Sequence, residues 1–369
     1  MDLKKRLWPH VTSEQWSDYK WQLANRLTSA KDLEQLLGIK GNAIEPCLDC
    51  LGHYKWASTP YYISLIEEDY STDPIALQII PSHKEIEFKS PLSSPDPLSE
   101  HVHSPLPGLI HRYRDRVVVL ASSICSSYCR HCNRKRTWKR PESIPATDSA
   151  WGRVCSYLRS HPEVREVLVS GGDPLLLPLH VLEQILKRLS SLPNIKVLRI
   201  GTRLPVVLPM AITEGICSLL KRYRPIWLNT QFNHPREITA EARQACERLQ
   251  LAGIPVSNQC VLLKGVNDDF DTMKDLCCNL QAIMVRPYYL FHCDFVAGTD
   301  HFRTTIKKGV DIIEKMWGHV GGMCIPNYVI DLPEGLGKAR LMPAHLKGIE
   351  DGFSTFQTFE GHIVRLEIT

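Results

Sequence analysis

Short apolar runs rich in β-branched residues alternate with amphipathic patterns along the middle of the chain. The runs have the length of strands, and the segments between them carry apolar residues at three- and four-residue steps, as helices do. This alternation predicts parallel strands joined by right-handed crossovers. Because the runs are almost continuously apolar, we expect a sheet covered on both faces. The six predicted strands are residues 117–124, 164–171, 196–202, 225–232, 255–263 and 284–293.

Six such units favour an α/β fold with a partial (β/α)6 TIM-like barrel over an open two-sided sheet. Two further strands are predicted at 322–331 and 362–368. Before the barrel, apolar residues at helical spacing predict a helix capped by Thr12 or Ser13, and a proline-rich stretch excludes regular structure. The helical residues are Trp16, Tyr19, Leu23 and Leu27. The predicted organisation is a helical region (1–89), a connector (90–108), a barrel (109–300) and a C-terminal region (301–369).

Composition narrows the class of protein. The 369 residues are 43% hydrophobic and 23% charged, as in a globular protein, which excludes collagen-like, disordered and coiled-coil chains. A net charge of +4 is too mild to require nucleic acid or an anionic membrane as partner. No run of apolar residues is long enough to cross a membrane, and the first residues lack the apolar core of a secretory signal. We therefore expect a cytoplasmic protein.

Thirteen cysteines are unusual for such a chain. Their odd number and the lack of an export signal argue against a disulfide framework. Cys47 and Cys50 form a CxxC, but no second pair at zinc spacing lies nearby, which favours a structural role. The other ordinary cysteines are expected to be buried apolar residues. They are Cys155, Cys217, Cys246, Cys277 and Cys278 in helical stretches, Cys260 and Cys324 in strand-like runs, and Cys293 near a strand end.

The remaining cysteines, Cys125, Cys129 and Cys132, form CxxxCxxC directly after the first barrel strand. Chemistry in βα-barrels collects at the carboxyl ends of the strands. Three thiolates in one loop suit an iron–sulfur cluster, whereas a structural zinc would need a fourth ligand. His131 is adjacent to a ligand and is expected to point away from a shared ion. A four-iron cluster on three cysteines would leave one iron open to an amine and a carboxylate.

The chain resembles the radical S-adenosylmethionine superfamily, and within it the lysine 2,3-aminomutases, from about Val11 to about Pro343. The resemblance implies an isomerase that interconverts L-α-lysine and β-lysine by a 5′-deoxyadenosyl-radical 1,2-amino shift. It implies a [4Fe–4S] cluster, S-adenosylmethionine and pyridoxal 5′-phosphate as cofactors. The matching motifs are TPYYISLI (59–66), HRYRDRVVVLASSICSSYCRHCNRKR (111–136), VLVSGGDPLLL (167–177), RIGTRLPVVLP (199–209), WLNTQFNHPREIT (227–239), NQCVLLKGVND (258–268) and HFRTTIKKGVDIIE (301–314).

The resemblance also assigns roles to single residues. Lys338 is the implied pyridoxal lysine, Asp294 and Asp331 would bind the ε-ammonium of lysine, and Arg134 would bind its carboxylate. From the residues alone, Lys338 could be an ordinary loop lysine, and two converging carboxylates would repel each other unless a cation lay between them. Cofactor binding is further assigned to Arg112 and Arg116 for the phosphate, and to Ser170, Gly171, Gly172, Asp173, Gln231 and Gln259.

Several features depart from the family pattern. Gln231 stands where the family usually has a histidine, and because glutamine cannot take up a proton, we expect its contact with S-adenosylmethionine to differ. No cysteine follows Cys324, and Asp269 occupies the position of a further zinc ligand. We therefore expect no structural zinc and a weaker or different oligomer, with a homodimer as the candidate assembly. The expected electron donor is a reductant protein such as flavodoxin or ferredoxin.

Alternatives remain open at this stage. The short C-terminal tail resembles the branch that supplies β-lysine for elongation factor P, so the product is either free β-lysine or a precursor of that modification. The substrate could be another amino acid, such as glutamate or arginine, or the enzyme could lack pyridoxal phosphate. A non-enzymatic iron–sulfur or zinc module is the alternative from another class.

Overall fold

The computed structural model describes residues 3–38, 45–67, 69–87, 90–139, 144–145 and 147–367. Short helices, rather than one long helix, form the N-terminal region. Thr12 caps the first turn as predicted, but the chain turns at Asp18, whose side chain accepts from the backbone of Lys20 and starts the next helix. Because a short acid competes for backbone donors, the predicted helix is split there. The helices are α1 (Leu3–Leu7), α2 (Ser13–Ser17), α3 (Tyr19–Ala24), α4 (Ala30–Leu37), α5 (Glu45–His53), α6 (Pro60–Ile63), α7 (Pro74–Ile79) and α8 (Lys84–Glu87).

A nine-stranded sheet in sequential order forms the barrel wall. Its seven central strands are parallel, and each outermost strand pairs antiparallel with its neighbour. This confirms the predicted partial barrel. The strands are β1 (Leu109–Tyr113), β2 (Arg116–Ser122), β3 (Glu166–Gly171), β4 (Val197–Gly201), β5 (Ile226–Thr230), β6 (Val256–Leu262), β7 (Arg286–His292), β8 (Asn327–Asp331) and β9 (Lys338–Arg340).

Helices between the parallel strands cover the outside of the sheet. In the helix between β3 and β4, Leu182, Ile185, Leu186 and Leu189 are buried on one face, which is the predicted three- and four-residue spacing. Threonine caps start four of these helices by accepting a backbone N–H. The helices between the parallel strands are α9 (Asp148–Ser160), α10 (Leu179–Ser190), α11 (Leu204–Val207), α12 (Glu214–Arg222), α13 (Ala240–Leu251), α14 (Phe270–Ala282) and α15 (Ile306–Met316).

The C-terminal region differs from its prediction. Only Asn327–Asp331 of the predicted strand 322–331 is extended, and Cys324 lies in a 3-10 turn rather than in a strand. The turn places its thiol against Gln281, at 2.8 Å from Oε1. The tail forms a separate antiparallel sheet of β10 (Leu346–Glu350), β11 (Phe353–Gln357) and β12 (Ile363–Glu367). The sequence predicted only the last of these strands, and its residue 368 lies outside the described residues.

The proline-rich connector lies along the barrel instead of extending away from it. Ser94 exchanges backbone hydrogen bonds with the loop after β7, donating to Phe295 and accepting from Ala297, at 2.9 and 3.0 Å. The predicted boundary at residue 89 lies outside the described residues. In the described part of the chain, no helix has the length and apolarity needed to cross a membrane.

Candidate active site

The carboxyl ends of the parallel strands surround a cavity of about 580 Å³. With the exception of Gly171, every site residue that the sequence predicted lines it. These residues are Arg112, Arg116, Cys125, Cys129, Cys132, Arg134, Ser170, Gly172, Asp173, Gln231, Gln259, Asp294, Asp331 and Lys338.

The cysteine loop (residues 123–136) follows β2 and carries all three motif thiols. Cys125 and Cys132 pack against one small apolar cluster with Tyr128 and Trp138. Burial, and then the charge of the neighbouring thiols, raises the pKa of Cys132 to about 11 and that of Cys125 well above its usual range. In the described part of the chain, no three histidine, cysteine or acidic side chains already stand at metal-binding geometry. The cysteine side chains would therefore turn toward one another around a cluster.

A buried arginine contacts the middle thiol. Arg203 Nη1 lies 2.7 Å from Cys129 Sγ, and its Nη2 donates to Glu237 Oε1 at 2.8 Å and to Gln78 Oε1 at 2.6 Å. Burial opposes the charge of Arg203, but Cys129, followed by Tyr62 and Glu237, raises its pKa. The guanidinium thus places positive charge where a thiolate would form. Arg203 lies within the family-like motif at 199–209, but the sequence assigned it no role.

One buried glutamate binds two basic residues of the cysteine loop, one between Cys129 and Cys132 and one after Cys132. Glu85 accepts from Arg130 Nε and Nη2 at 2.8 and 2.7 Å and from Lys135 Nζ at 2.6 Å. The side chains are at most 1% exposed. Burial raises the pKa of Glu85, but Arg130 and then Lys135 outweigh it and lower the pKa to about 2. No motif pointed to Glu85, because its partners lie 45 and 50 residues away in the sequence.

Backbone packing at the end of β3 requires glycine at two successive positions. Gly171 has φ +123°, and a Cβ there would lie 2.3 Å from the Ser122 carbonyl oxygen. A Cβ on Gly172 would lie 2.4 Å from the carbonyl oxygen of Ile124. Glycine therefore lets β3 meet the cysteine loop backbone to backbone. The resemblance also implies that this backbone contacts a cofactor, and that contact stays a prediction.

Asp173 is engaged within the protein. Its carboxylate accepts from Thr202 Oγ1 at 2.7 and 2.8 Å and from the backbone of Arg203 at 2.9 Å. Burial raises its pKa to about 6, and these hydrogen bonds oppose the rise. These contacts place Asp173 as a support for the start of α11 and for Arg203.

The lysine hairpin (residues 327–340) explains the spacing of Asp331 and Lys338. The two residues are antiparallel partners on β8 and β9, and Leu332 donates to the carbonyl of Gly337 at 2.8 Å to close the turn. Cross-strand partners project to the same face. Lys338 Nζ accordingly lies 2.9 Å from Asp331 Oδ1, with its side chain 28% exposed.

The two strand-end carboxylates have different partners. Asp331 accepts from Lys338 and also from Arg112 Nη2, at 2.9 Å each. Asp294 has a pKa raised to about 7 by burial and then by the charge of Asp331, against opposing effects of Asn133, Lys338 and Arg134. Its buried Oδ1 has no hydrogen-bond partner among the described residues. Asp331 therefore already has cationic partners, whereas Asp294 could still accept one.

The three predicted arginines have partners of their own. Arg134 makes a forked contact with Glu100, with Nη2 2.7 Å from Oε1. Arg116 pairs with Asp115 at 2.8 Å and lies over the Tyr113 ring, whereas Arg112 contacts Asp331. Both Arg112 and Arg116 face the cavity, as expected for phosphate ligands.

Gln231 is linked to a buried histidine. Its Nε2 lies 3.2 Å from His131 Nε2, and Asn233 Nδ2 lies at the same distance. Burial, followed by Arg203 and Lys135, lowers the pKa of His131 far below its usual range, which keeps it neutral. His131 also packs edge-on against Phe302.

A parallel barrel with CxxxCxxC after its first parallel strand defines a radical S-adenosylmethionine enzyme. Residues 119–277 match the family described as the radical SAM superfamily, and residues 313–367 match the one described as lysine-2,3-aminomutase. The chain belongs to the lysine 2,3-aminomutase family.

Relatives support this assignment over almost the whole chain. L-lysine 2,3-aminomutase of Acetoanaerobium sticklandii is 44% identical over 98% of this chain and 87% of its own. The protein of the same name from Clostridium subterminale is 42% identical over 97% of this chain and 85% of its own. Glutamate 2,3-aminomutase of Clostridioides difficile is 39% identical over 96% of this chain and 84% of its own. The chain is thus an isomerase of the radical type.

Membership implies a [4Fe–4S] cluster, S-adenosylmethionine and pyridoxal 5′-phosphate, and the residues present fit these groups. Cys129 lies beside the Arg203 guanidinium, and the charges of the neighbouring thiols repel one another, so iron ions would offset the negative charge of three thiolates there. Lys338 lines the cavity together with Arg112 and Arg116, so an amine that could bind the aldehyde and two guanidinium groups that could bind the phosphate are present there.

Proposed function

We propose that this chain is an L-lysine 2,3-aminomutase, which interconverts L-α-lysine and β-lysine. The observation that carries the proposal is the pair of strand-end carboxylates. Asp331 already binds one primary ammonium, that of Lys338, and Asp294 beside it has a buried oxygen with no partner among the described residues. The ε-ammonium of lysine is the same chemical group, whereas the side-chain carboxylate of glutamate would add a third negative charge.

The proposed roles distribute the ligands around the cavity. Lys338 holds pyridoxal phosphate, and Arg112 and Arg116 bind its phosphate. Cys125, Cys129 and Cys132 hold the cluster. S-adenosylmethionine is assigned to Ser170, Gly172, Asp173, Gln231 and Gln259, which line the cavity, and to the backbone of Gly171 between them. When bound, these cofactors supply a 5′-deoxyadenosyl radical and a conjugated ring that stabilises an unpaired electron.

The protein's own contribution is recognition and orientation of the substrate. Asp294 and Asp331 bind the ε-ammonium, and Arg134 binds the α-carboxylate, so both ends of lysine are fixed. With both ends held, one β-hydrogen of the substrate would keep a fixed position relative to the three cysteines that hold the cluster. Burial of the strand ends keeps bulk water from the reacting carbons.

The test is an anaerobic assay of the reconstituted enzyme with L-lysine, S-adenosylmethionine and a reductant, with β-lysine as the measured product. L-Glutamate and L-arginine run in parallel as competing substrates. β-Lysine formed at least tenfold faster than either alternative product supports the proposal. Faster conversion of glutamate would contradict it.

The expected partners belong to the same proposal. A reductant protein such as flavodoxin or ferredoxin would reduce the cluster, and the candidate assembly is a homodimer. Stimulation of turnover by purified flavodoxin, and the mass of the holoenzyme in solution, test these two points separately.

A further inference from the structure

Glu100 belongs to the proline-rich connector, yet its side chain lies at the edge of the cavity and is 7% exposed. It accepts from Arg134 Nε at 3.1 and 3.2 Å and from Arg134 Nη2 at 2.7 Å. Arg136 Nη2 binds its second oxygen at 2.5 Å and also binds Asp96 at 3.0 Å. One buried carboxylate thus orders two arginines of the cysteine loop.

The nitrogens of the Arg134 guanidinium have different surroundings. Nε and Nη2 face Glu100, whereas Nη1 has no hydrogen-bond partner among the described residues. Arg134 also lines the cavity and is close enough to Asp294 for their charges to interact. A free arginine side chain has many rotamers, and fixing one of them in advance removes that entropy cost from binding.

We propose that Glu100 is a positioning residue for substrate recognition, which fixes one edge of Arg134 so that Nη1 receives the α-carboxylate of the substrate. This inference rests on the proposed function, because it requires an amino acid with a free carboxylate in the cavity. It makes the connector a part of the active site and not only a link to the barrel.

The test is the Glu100→Gln variant of the holoenzyme. We expect the KM for L-lysine, and the apparent Kd read from the visible absorbance of bound pyridoxal phosphate, to rise by roughly 10- to 100-fold. The kcat should change much less. Inhibition by 1,5-diaminopentane, which lacks the carboxylate, should stay as in the wild type. A shared loss of affinity for lysine and diaminopentane would overturn the proposal.

Two further variants separate positioning from simple support of the loop. Arg136→Gln removes the other arginine on Glu100 and should leave the KM for lysine within about threefold of the wild type. In an Arg134→Gln background, Glu100→Gln should add no further loss, because it acts through Arg134. Equal KM increases in the Arg136 and Glu100 variants, or additive losses in the double variant, would overturn the proposal.

Folding is checked independently by iron content and by the thermal transition. If Glu100→Gln fails to fold, Glu100→Asp keeps the charge but shortens the reach, and it should raise the KM in the same direction by a smaller factor. An unchanged KM in Glu100→Asp would then overturn the proposal. Absence of β-lysine from the wild-type reaction would instead contradict the substrate assignment.

Discussion

The cysteine loop and the lysine hairpin both line one cavity, but different interactions hold them. Basic residues in the second half of the cysteine loop are fixed by ion pairs with Glu85, which are fully buried, and with Glu100, which are largely buried. The hairpin presents Lys338 partly exposed, on a carboxylate that it shares with Arg112. The cysteine loop is therefore held in place without a ligand, whereas a ligand can replace contacts of the lysine hairpin.

Removal of Lys338 should have the largest effect. Lys338→Ala is expected to lower turnover by on the order of a thousandfold or more, because no other lysine of the described chain lines the cavity. The visible absorbance of bound pyridoxal phosphate should disappear as well. Lys347→Ala, an exposed lysine of β10, is the matched control and should behave as the wild type. Retained turnover in Lys338→Ala would refute the assignment.

Replacement of the buried Glu85 tests how far its ion pairs stabilise the cysteine loop. Glu85→Gln leaves Arg130 and Lys135 without their buried charge partner, so the free energy of unfolding should fall by about 3 kcal/mol, measured by denaturant titration. Iron incorporation should fall with it. Glu183→Gln breaks the more exposed pair with Arg222 and should cause no measurable change. If both variants are equally stable, the loop does not depend on Glu85.

Asp294 is close enough to Arg134 of the cysteine loop and to Lys338 of the lysine hairpin for their charges to interact. Asp294→Asn should raise the KM for L-lysine about thirtyfold, because a neutral amide cannot pair with the ε-ammonium. Competition by L-norleucine, which has no ε-ammonium, should be unaffected. Asp311→Asn, which alters the exposed pair with Lys307, serves as the control. An unchanged KM in Asp294→Asn would remove Asp294 from the substrate site.

A pH profile should show the smallest effect. The pKa of Asp294 is raised to about 7, so the carboxyl is largely neutral at pH 6 and charged at pH 8. Lysine binding needs the charged form, and kcat/KM should therefore rise about tenfold across this range. The same step should be missing in Asp294→Asn. A step that persists in the variant belongs to another group.

The sequence predicted the barrel because each parallel strand is a compact apolar run with a helical pattern after it. It predicted most of the cavity lining for a related reason, since strand ends of a parallel sheet meet at one edge. It missed Glu85 and Glu100, whose partners are 45 and 34 residues away and leave no local spacing. It also missed the break at Asp18, where side-chain chemistry overrides apolar periodicity.

The outermost strands of the sheet have one further consequence. Among the described residues, β1 and β9 are joined by no backbone ladder, yet Arg112 of β1 reaches Asp331, the partner of Lys338 on β9. A molecule gripped by Arg112 and attached to Lys338 would connect the two ends of the wall through its own atoms. Loading the enzyme would then complete the circumference of the barrel, and emptying it would reopen the seam.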